Sequence, residues 1–241
     1  MRIAPAIGSL LSSSSLVGIA RRRTRREWIL DLSGLLVQGV GVPVLQLTVV
    51  AAALAAFAPG WRGSVTVGLI GGLLANFVLV DYAYYWNHRW LHSGGLWRWH
   101  AVHHTAPVLD VLVTGRNTLW TPALILYLWL NGLALFLLDD PRGFVLAAGL
   151  TCLLDVWRHS PWAPPRASRA GRVLGSILIT PHDHAWHHST ARPGCNFGAN
   201  LSWWDRLHGT YWRPPAPPHS LGIPRGERTA RLLLWPRAGP A

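Results

Sequence analysis

The sequence predicts an all-α membrane protein, with about four transmembrane helices in two hairpins and a cytosolic, His-rich helical cap. Three observations lead there. Half of the 241 residues are apolar and only 13% are charged, far from the composition of a disordered chain. The apolar residues gather into four long stretches, and the members of each pair are joined by a tight turn. Ten of the twelve His fall into four clusters outside those turns.

The chain divides into an N-terminal arm (1–34), a membrane domain with its cap (35–212) and a Pro-rich tail (213–241). In the arm, a mildly apolar segment with the run Ser12 to Ser15 precedes the cationic cluster Arg21 to Arg26. A signal peptide carries its charges before its apolar stretch, so this order predicts a retained, interfacial arm with a cytosolic anchor. The stretches 35–58, 64–86 and 119–138 are long enough, at ~1.5 Å per residue, to cross a hydrocarbon core ~30 Å thick. The fourth, 143–157, is short and is expected to end in the interface. Pro59-Gly60-Trp61-Arg62-Gly63 joins the first pair and Asp139-Asp140-Pro141-Arg142 the second, which makes two helical hairpins. Arg62 and Arg142 cancel Asp139 and Asp140 in these turns, so the net charge of +12 lies on the other side. The positive-inside rule makes that side the cytosol, together with both termini and the segments 87–118 and 158–241. The apolar segment 173–180 is too short to span and reads as an interfacial helix stopped by Pro181. The tail, with Pro214-Pro215 and Pro217-Pro218, reads as extended or disordered. Cys152 and Cys195 are too few for a disulfide framework and fit a reducing compartment. All 22 basic residues are Arg, yet the twelve His and fifteen Trp are the stronger anomaly, and no nucleic-acid partner is expected.

The His clusters are His88 and His92; His100, His103 and His104; His159; and His182, His184, His187 and His188. His88 and His92 stand one helical turn apart at the end of the second stretch, where positions i and i+4 share a face. The second and fourth clusters repeat one pattern, H-x-x-H-H, at 100–104 and 184–188. In a helix each triplet aims three imidazoles one way. A lone pair of this kind is usually an ordinary surface feature, but packing has no use for so many ionisable groups beside a bilayer. A metal site follows. Nine or ten imidazoles exceed the three or four ligands of one zinc, so two metals are implied. Imidazole suits Zn, Cu, Fe and Ni alike. Glu occurs only at positions 27 and 227, which excludes a carboxylate-bridged, ferritin-type centre. The centre must be His-rich and non-haem.

The motifs Asp81 to Arg89, Trp99 to His104, Arg158-His159-Ser160, Thr180-Pro181 with His184 to Ser189, and Asn196 to Tyr211 resemble those of the fatty acid hydroxylase superfamily, which also contains sterol desaturases and sterol methyl oxidases. The resemblance covers about residues 64–212. It implies a four-helix membrane protein whose cytosolic cap holds two irons that activate O2, with zinc possible in the isolated protein. The implied ligands are His88, His92, His100, His103, His104, His159, His184, His187 and His188; His182 is a further candidate. Arg158 stands where relatives usually have Asn, and His208 where an aromatic residue is common. Several relatives carry a fused cytochrome b5 domain with a His-Pro-Gly-Gly motif, which this chain lacks. Electrons are therefore expected from a separate ferredoxin or cytochrome b5 type donor with its reductase.

Asp81, seven residues before His88, and Asp155, four before His159, share helical faces with proposed ligands and are expected to orient their rings. Asn196, Asn200 and Asp205 read as turn and capping residues that hold the cap. Trp86, Trp90, Trp97, Trp99, Trp203, Trp204 and Trp212 read as an interfacial aromatic belt. The expected function is O2-dependent hydroxylation of a lipid C–H bond, on a fatty acyl, sterol or related isoprenoid chain, with desaturation by the same centre as the alternative. A membrane zinc hydrolase would need a Glu base, and a metal transporter would need polar residues at mid-span. The spans hold only scattered ones, Gln46, Thr48, Asn76 and Asn131.

Overall fold

A computed structural model describes residues 23–238; the arm as far as residue 22 and the last three residues lie outside it. Thr24 starts the first helix with a capping box. Its hydroxyl accepts from Glu27 N at 3.2 Å, and the Glu27 carboxylate accepts from Thr24 N at 2.8 Å, which satisfies two of the free donors of a helix start. Helix α1 then runs Arg25–Phe57. Pro43 lacks an N–H and crowds the preceding turn, and wide π-type turns, Val37–Gly41 and Gln46–Val50, flank it. After the turn Pro59–Trp61, α2 runs Gly68–Leu91.

Both helices are long and apolar enough to cross a bilayer, and the most apolar part of α1 is only 11% buried within the molecule. Leu36, Leu47, Val49 and Phe57 on α1 and Ile70 and Leu79 on α2 point outward, an apolar surface suited to lipid. The third stretch differs from expectation. It breaks at Ile125, whose backbone is extended (φ −84°, ψ 126°), and leaves α3 at Leu126–Leu137. Twelve residues reach only ~18 Å, less than a bilayer core. Asn87 of α2 makes the break tolerable: its Nδ2 donates to Leu124 O at 3.0 Å and its Oδ1 accepts from Leu126 N at 3.2 Å. Helix α4, Arg142–Arg158, follows after a short turn.

The expected hairpin mates are not the main packing partners. Helix α1 packs on α3, and α2 packs on α4. Glycines set the second contact: a Cβ at Gly143 would stand 2.0 Å from Leu69 O, and one at Gly72 would stand 2.9 Å from Phe144 N. The two turns meet at one end of the bundle. Val65 N donates to Leu137 O at 2.9 Å, Asp139 N to Val65 O at 3.2 Å, and Thr66 Oγ1 to Asp139 at 2.7 Å. The C-terminal ends of α2 and α4 therefore lie together at the other end.

There the cap is built from short pieces. Helix α5, Arg169–Ile177, overlaps the helix expected over 173–180 but starts earlier and ends before Thr180. Thr180 and Asp183 form a capping box for α6, Pro181–His187. Asp205 accepts from Phe197 N at 2.8 Å and Gly198 N at 2.7 Å. Asn196, at φ +53°, donates to Asp183 O and Trp212 O. Asn200 Nδ2 donates to Thr151. These three residues hold the cap as the sequence suggested.

The segment 110–118 is bound to α1. Asp31, fully buried, pairs with Arg23 and with Arg116 Nε at 2.5 Å, and Arg23 also reaches Asp110. A Cβ on Gly34 would fall 1.6 Å from Gly115 O, so backbone lies on backbone. The tail is not extended away from the body. It ends in helix α7, Thr229–Leu234, whose Leu232 is fully buried with Leu30 and Val102. Leu119 N donates to Leu233 O, and Ile223 N to His104 O at 2.8 Å. The prolines need no donors of their own, and Leu232, Leu233 and Trp235 supply the anchors. Among the described residues there are no strands, only isolated bridges at 65/138, 178/201 and 189/221.

Candidate metal centre

Helix ends deliver the imidazoles. His88 lies in the last turn of α2 and His92 caps its C-terminus; His159 caps α4. His184 and His187 share a face of α6, and His188 is its C-cap. The other H-x-x-H-H repeat is not one helix: His100 ends a short helix, and His103 and His104 sit in the following turn. Both triplets nevertheless converge. The nine His implied by the resemblance form two groups: His88, His92, His100, His104 and His187; and His103, His159, His184 and His188. Within each group the ligand atoms all lie within 4.8 Å of one another. The groups touch, with the His104 and His188 rings stacked at 4.3 Å. His182 belongs to neither.

Hydrogen bonds fix which nitrogen faces inward. The Nδ1–H of His88 donates to Phe197 O at 2.7 Å, of His103 to Arg116 O at 3.1 Å, of His159 to Asp155 O at 2.8 Å and of His187 to Cys195 O at 2.8 Å. A carbonyl can only accept, so each of these rings, carrying a single proton, has it on Nδ1 and leaves Nε2 bare. His159 Nε2 faces His103 Nε2 at 3.3 Å. Two lone pairs so placed repel, and a shared cation removes the conflict. Metal–nitrogen bonds of about 2.0–2.1 Å give N···N edges of about 2.9–3.4 Å around one ion. The observed Nε2 separations are 2.9 Å for His88 and His100, 3.3 Å for His100 and His104, 3.0 Å for His159 and His184, and 3.1 Å for His184 and His188. The Nε2 atoms of His92 and His187 are buried without a partner. The residues present fit a metal in each group. Burial first, then neighbouring imidazoles, pushes His100, His104 and His188 well below the ordinary His range. Burial brings His187 down to about 4. These rings are neutral at neutral pH, as ligation requires.

The supports of the rings only partly match expectation. Asp155 does hold His159, chiefly through its backbone carbonyl, with its carboxylate 3.4 Å from Nδ1 and paired to Arg158. Asp81 does not reach His88. It accepts from Asn200 N, Leu201 N and Trp204 Nε1, and so ties the 200–204 segment to α2. The Trp belt divides too. Trp90 and Trp203 are exposed, but Trp97 is buried with its ring centroid 4.9 Å from His92. Trp204 bonds to Asp81, and Trp99 meets Trp235 edge-on at 5.0 Å. His208 stacks on Tyr85 at 5.0 Å, outside both groups. The carbonyls of Phe197, Arg116 and Cys195 carry no residue signature, so sequence reasoning could not find them. A cavity of about 30 Å³ adjoins both groups. His88, His100, His103, His159 and His184 line one side, with Gln38, Tyr84, Thr114, Asn117 and Ile125 among the other walls.

Fold and site together define a helical bundle with lipid-suited helices and a paired, His-only centre at one end. The sequence matches the family model described as fatty acid hydroxylase over residues 73–210, more than half of the chain. The chain belongs to the fatty acid hydroxylase family. It is 33% identical over 153 residues to the ornithine lipid hydroxylase OlsE of Rhizobium tropici, covering 60% of this chain and 43% of that protein. It is 30% identical over 139 residues to the alkylglycerol monooxygenase of Danio rerio, covering 56% and 29%. The human alkylglycerol monooxygenase matches at 28% over 138 residues, with the same coverage. The chain thus spans less than half the length of these curated relatives. No solved structure matches.

Proposed function

We propose that this chain is an O2-dependent, non-haem di-iron oxygenase that hydroxylates a C–H bond of a lipid. In this reading it is a multi-pass membrane protein with its cap and termini in the cytosol. The observation that carries it is the division of nine His into groups of five and four, with the Nδ1 atoms of His88, His103, His159 and His187 tied to carbonyls and their Nε2 atoms left bare. Two His-only sets exceed the needs of a zinc hydrolase, and Glu27 and Glu227 are absent from the surroundings of both groups. The relatives named as a lipid hydroxylase and a monooxygenase support oxygen insertion.

When bound, the two ions supply the activation of O2. The chain's residues do the rest. Carbonyl bonds to Nδ1 hold four rings in one tautomer and one orientation. The cavity touches both groups, so a carbon placed there lies beside both. The cavity is small, about 30 Å³, which limits the water that can stand beside the reacting centre. The substrate is a lipid with a fatty acyl, sterol or isoprenoid chain, and a ferredoxin or cytochrome b5 type donor with its reductase delivers the electrons.

The test joins metal analysis to isotope labelling. Purified protein should hold two irons, and with donor, lipid and labelled dioxygen one labelled atom should enter the lipid. An unlabelled alkene would assign desaturation instead. Label arriving from water would overturn the oxygenase reading.

A further inference from the structure

Building on the oxygenase reading, we infer that the oxidised carbon lies beside a neutral hydrogen-bonding group of the lipid, such as an ether, hydroxyl, ester or amide, held by Gln38, Thr114 and Asn117. All three line the cavity that adjoins both His groups. Thr114 is 8% exposed and Asn117 4%, and the hydroxyl of Thr114 and the Oδ1 of Asn117 have no hydrogen-bond partner. Buried polar groups are normally paired; Arg158 Nε and the Nδ1 atoms of His100 and His184 in the same lining are unpartnered too, so the lining points to a polar ligand, and Thr114 and Asn117 are its uncharged, unpartnered members outside the His groups.

Their arrangement follows from the fold. Asp31, Gly34 and Gln38 lie on one face of α1, at spacings of three and four. Asp31 grips Arg116, and Gly34 lies against Gly115. Those contacts hold the segment of Thr114 and Asn117 against α1, where both line one cavity with Gln38 and the imidazoles. The chemistry of the group follows from the charges. Arg158 and Asp155 also line the cavity, but they pair with each other, and Arg158 donates further to Ala199 O. The charge of Arg158 is already matched by Asp155, with only its Nε left unpartnered, while amides and a hydroxyl offer both donors and acceptors to a neutral group. A bare methylene chain would leave the same atoms unpaired. Because Thr114 and Asn117 line the same small cavity as His103 and His159, the polar group and the reacting carbon lie close to each other along the lipid.

The experiment compares a long-chain ether, a secondary amide and an unsubstituted alkane of equal length, with the iron-loaded protein in nanodiscs supplied with dioxygen and a ferredoxin or cytochrome b5 type donor with its reductase. Turnover should favour the ether and amide: a hydroxyl beside the ether oxygen makes a hemiacetal that parts into an aldehyde and an alcohol, so the ether should be cleaved, and the amide should carry its hydroxyl next to the carbonyl in tandem mass spectra. In Thr114→Val and Asn117→Leu the ratio of ether to alkane turnover should fall about tenfold, the size expected of one hydrogen bond, while bound iron stays at the wild-type level. Ether binding to the metal-free protein, followed by tryptophan fluorescence, should weaken in the same variants. Mid-chain hydroxylation, or variants that keep the ether preference with their iron, would overturn the inference and leave the oxygenase standing. A protein that binds ether through these residues but consumes no O2 would overturn the oxygenase instead.

Discussion

At the scale of single residues, the centre is a problem of lone pairs. Nine imidazoles crowded into one space are unfavourable unless a cation meets their inward-facing nitrogens, and carbonyl acceptors on the Nδ1 atoms of His88, His103, His159 and His187 keep those four from turning away. His103→Ala or His159→Ala should therefore lower bound metal from two ions towards one and abolish turnover. His182→Ala and His219→Ala, outside both groups, should leave metal content unchanged. Elemental analysis decides, and full metal in His159→Ala would remove that residue from the ligand set. The same burial predicts acid sensitivity. Unfolded His titrates near ~6.5, whereas burial lowers His100, His104 and His188 in the fold, and His187 to about 4. Between those values the unfolded chain binds more protons, so this contribution is present above about pH 6.5 and is lost as pH falls below it. The melting temperature of metal-free protein should drop steadily from pH 7 to pH 5; a rise over that range would contradict the burial of these rings. The identities of the His were legible in the sequence because spacing is a residue property. Their restraints were not, because backbone carbonyls look alike in every sequence.

Among elements, sequence patterns located α2 and α4 and their His-bearing ends, since long apolar runs and i, i+4 spacing survive folding. They failed at the third stretch because Ile125 sits in an apolar run like any other, and the break is stabilised by Asn87 from a different helix. The docked tail was missed for a similar reason. Its prolines mark irregular backbone, while Leu232 finds its partners, Leu30 and Val102, far away in the chain. Close glycine contacts belong to this scale. Gly34→Ala forces a Cβ against Gly115 O and should destabilise the fold by about 1–3 kcal/mol, the usual effect of overpacking. Gly39, on the same helix, has nothing within 4 Å of its Cβ position. There Ala should stabilise by about 0.5–1 kcal/mol through its better helix propensity. Thermal melts of the two variants check this, and a Gly34→Ala protein as stable as wild type would disprove the backbone contact.

For the whole molecule, the arrangement couples two ends of one bundle. Both tight turns are hydrogen-bonded to each other at one end, through Val65, Leu137 and Asp139, and the imidazoles, the cap and the docked tail occupy the other. That separation was legible from turn composition and charge alone, whereas the pairing of α1 with α3 and α2 with α4 was not, because it depends on which glycines meet. The turns are charge-balanced, and the net +12 lies elsewhere, so the positive-inside rule predicts that the imidazole end faces the cytosol. Cysteine labelling tests this in whole cells with a membrane-impermeant maleimide, in a background where the exposed Cys152 is replaced by Ala. Gly60 has open space around its Cβ position, and His219 is exposed in the tail, so both sites accept Cys without disturbing the core. Gly60→Cys should label in intact cells and His219→Cys only after permeabilisation. The reverse pattern would invert the topology, and labelling of both from one side would mean that the bundle does not separate its two ends across the membrane.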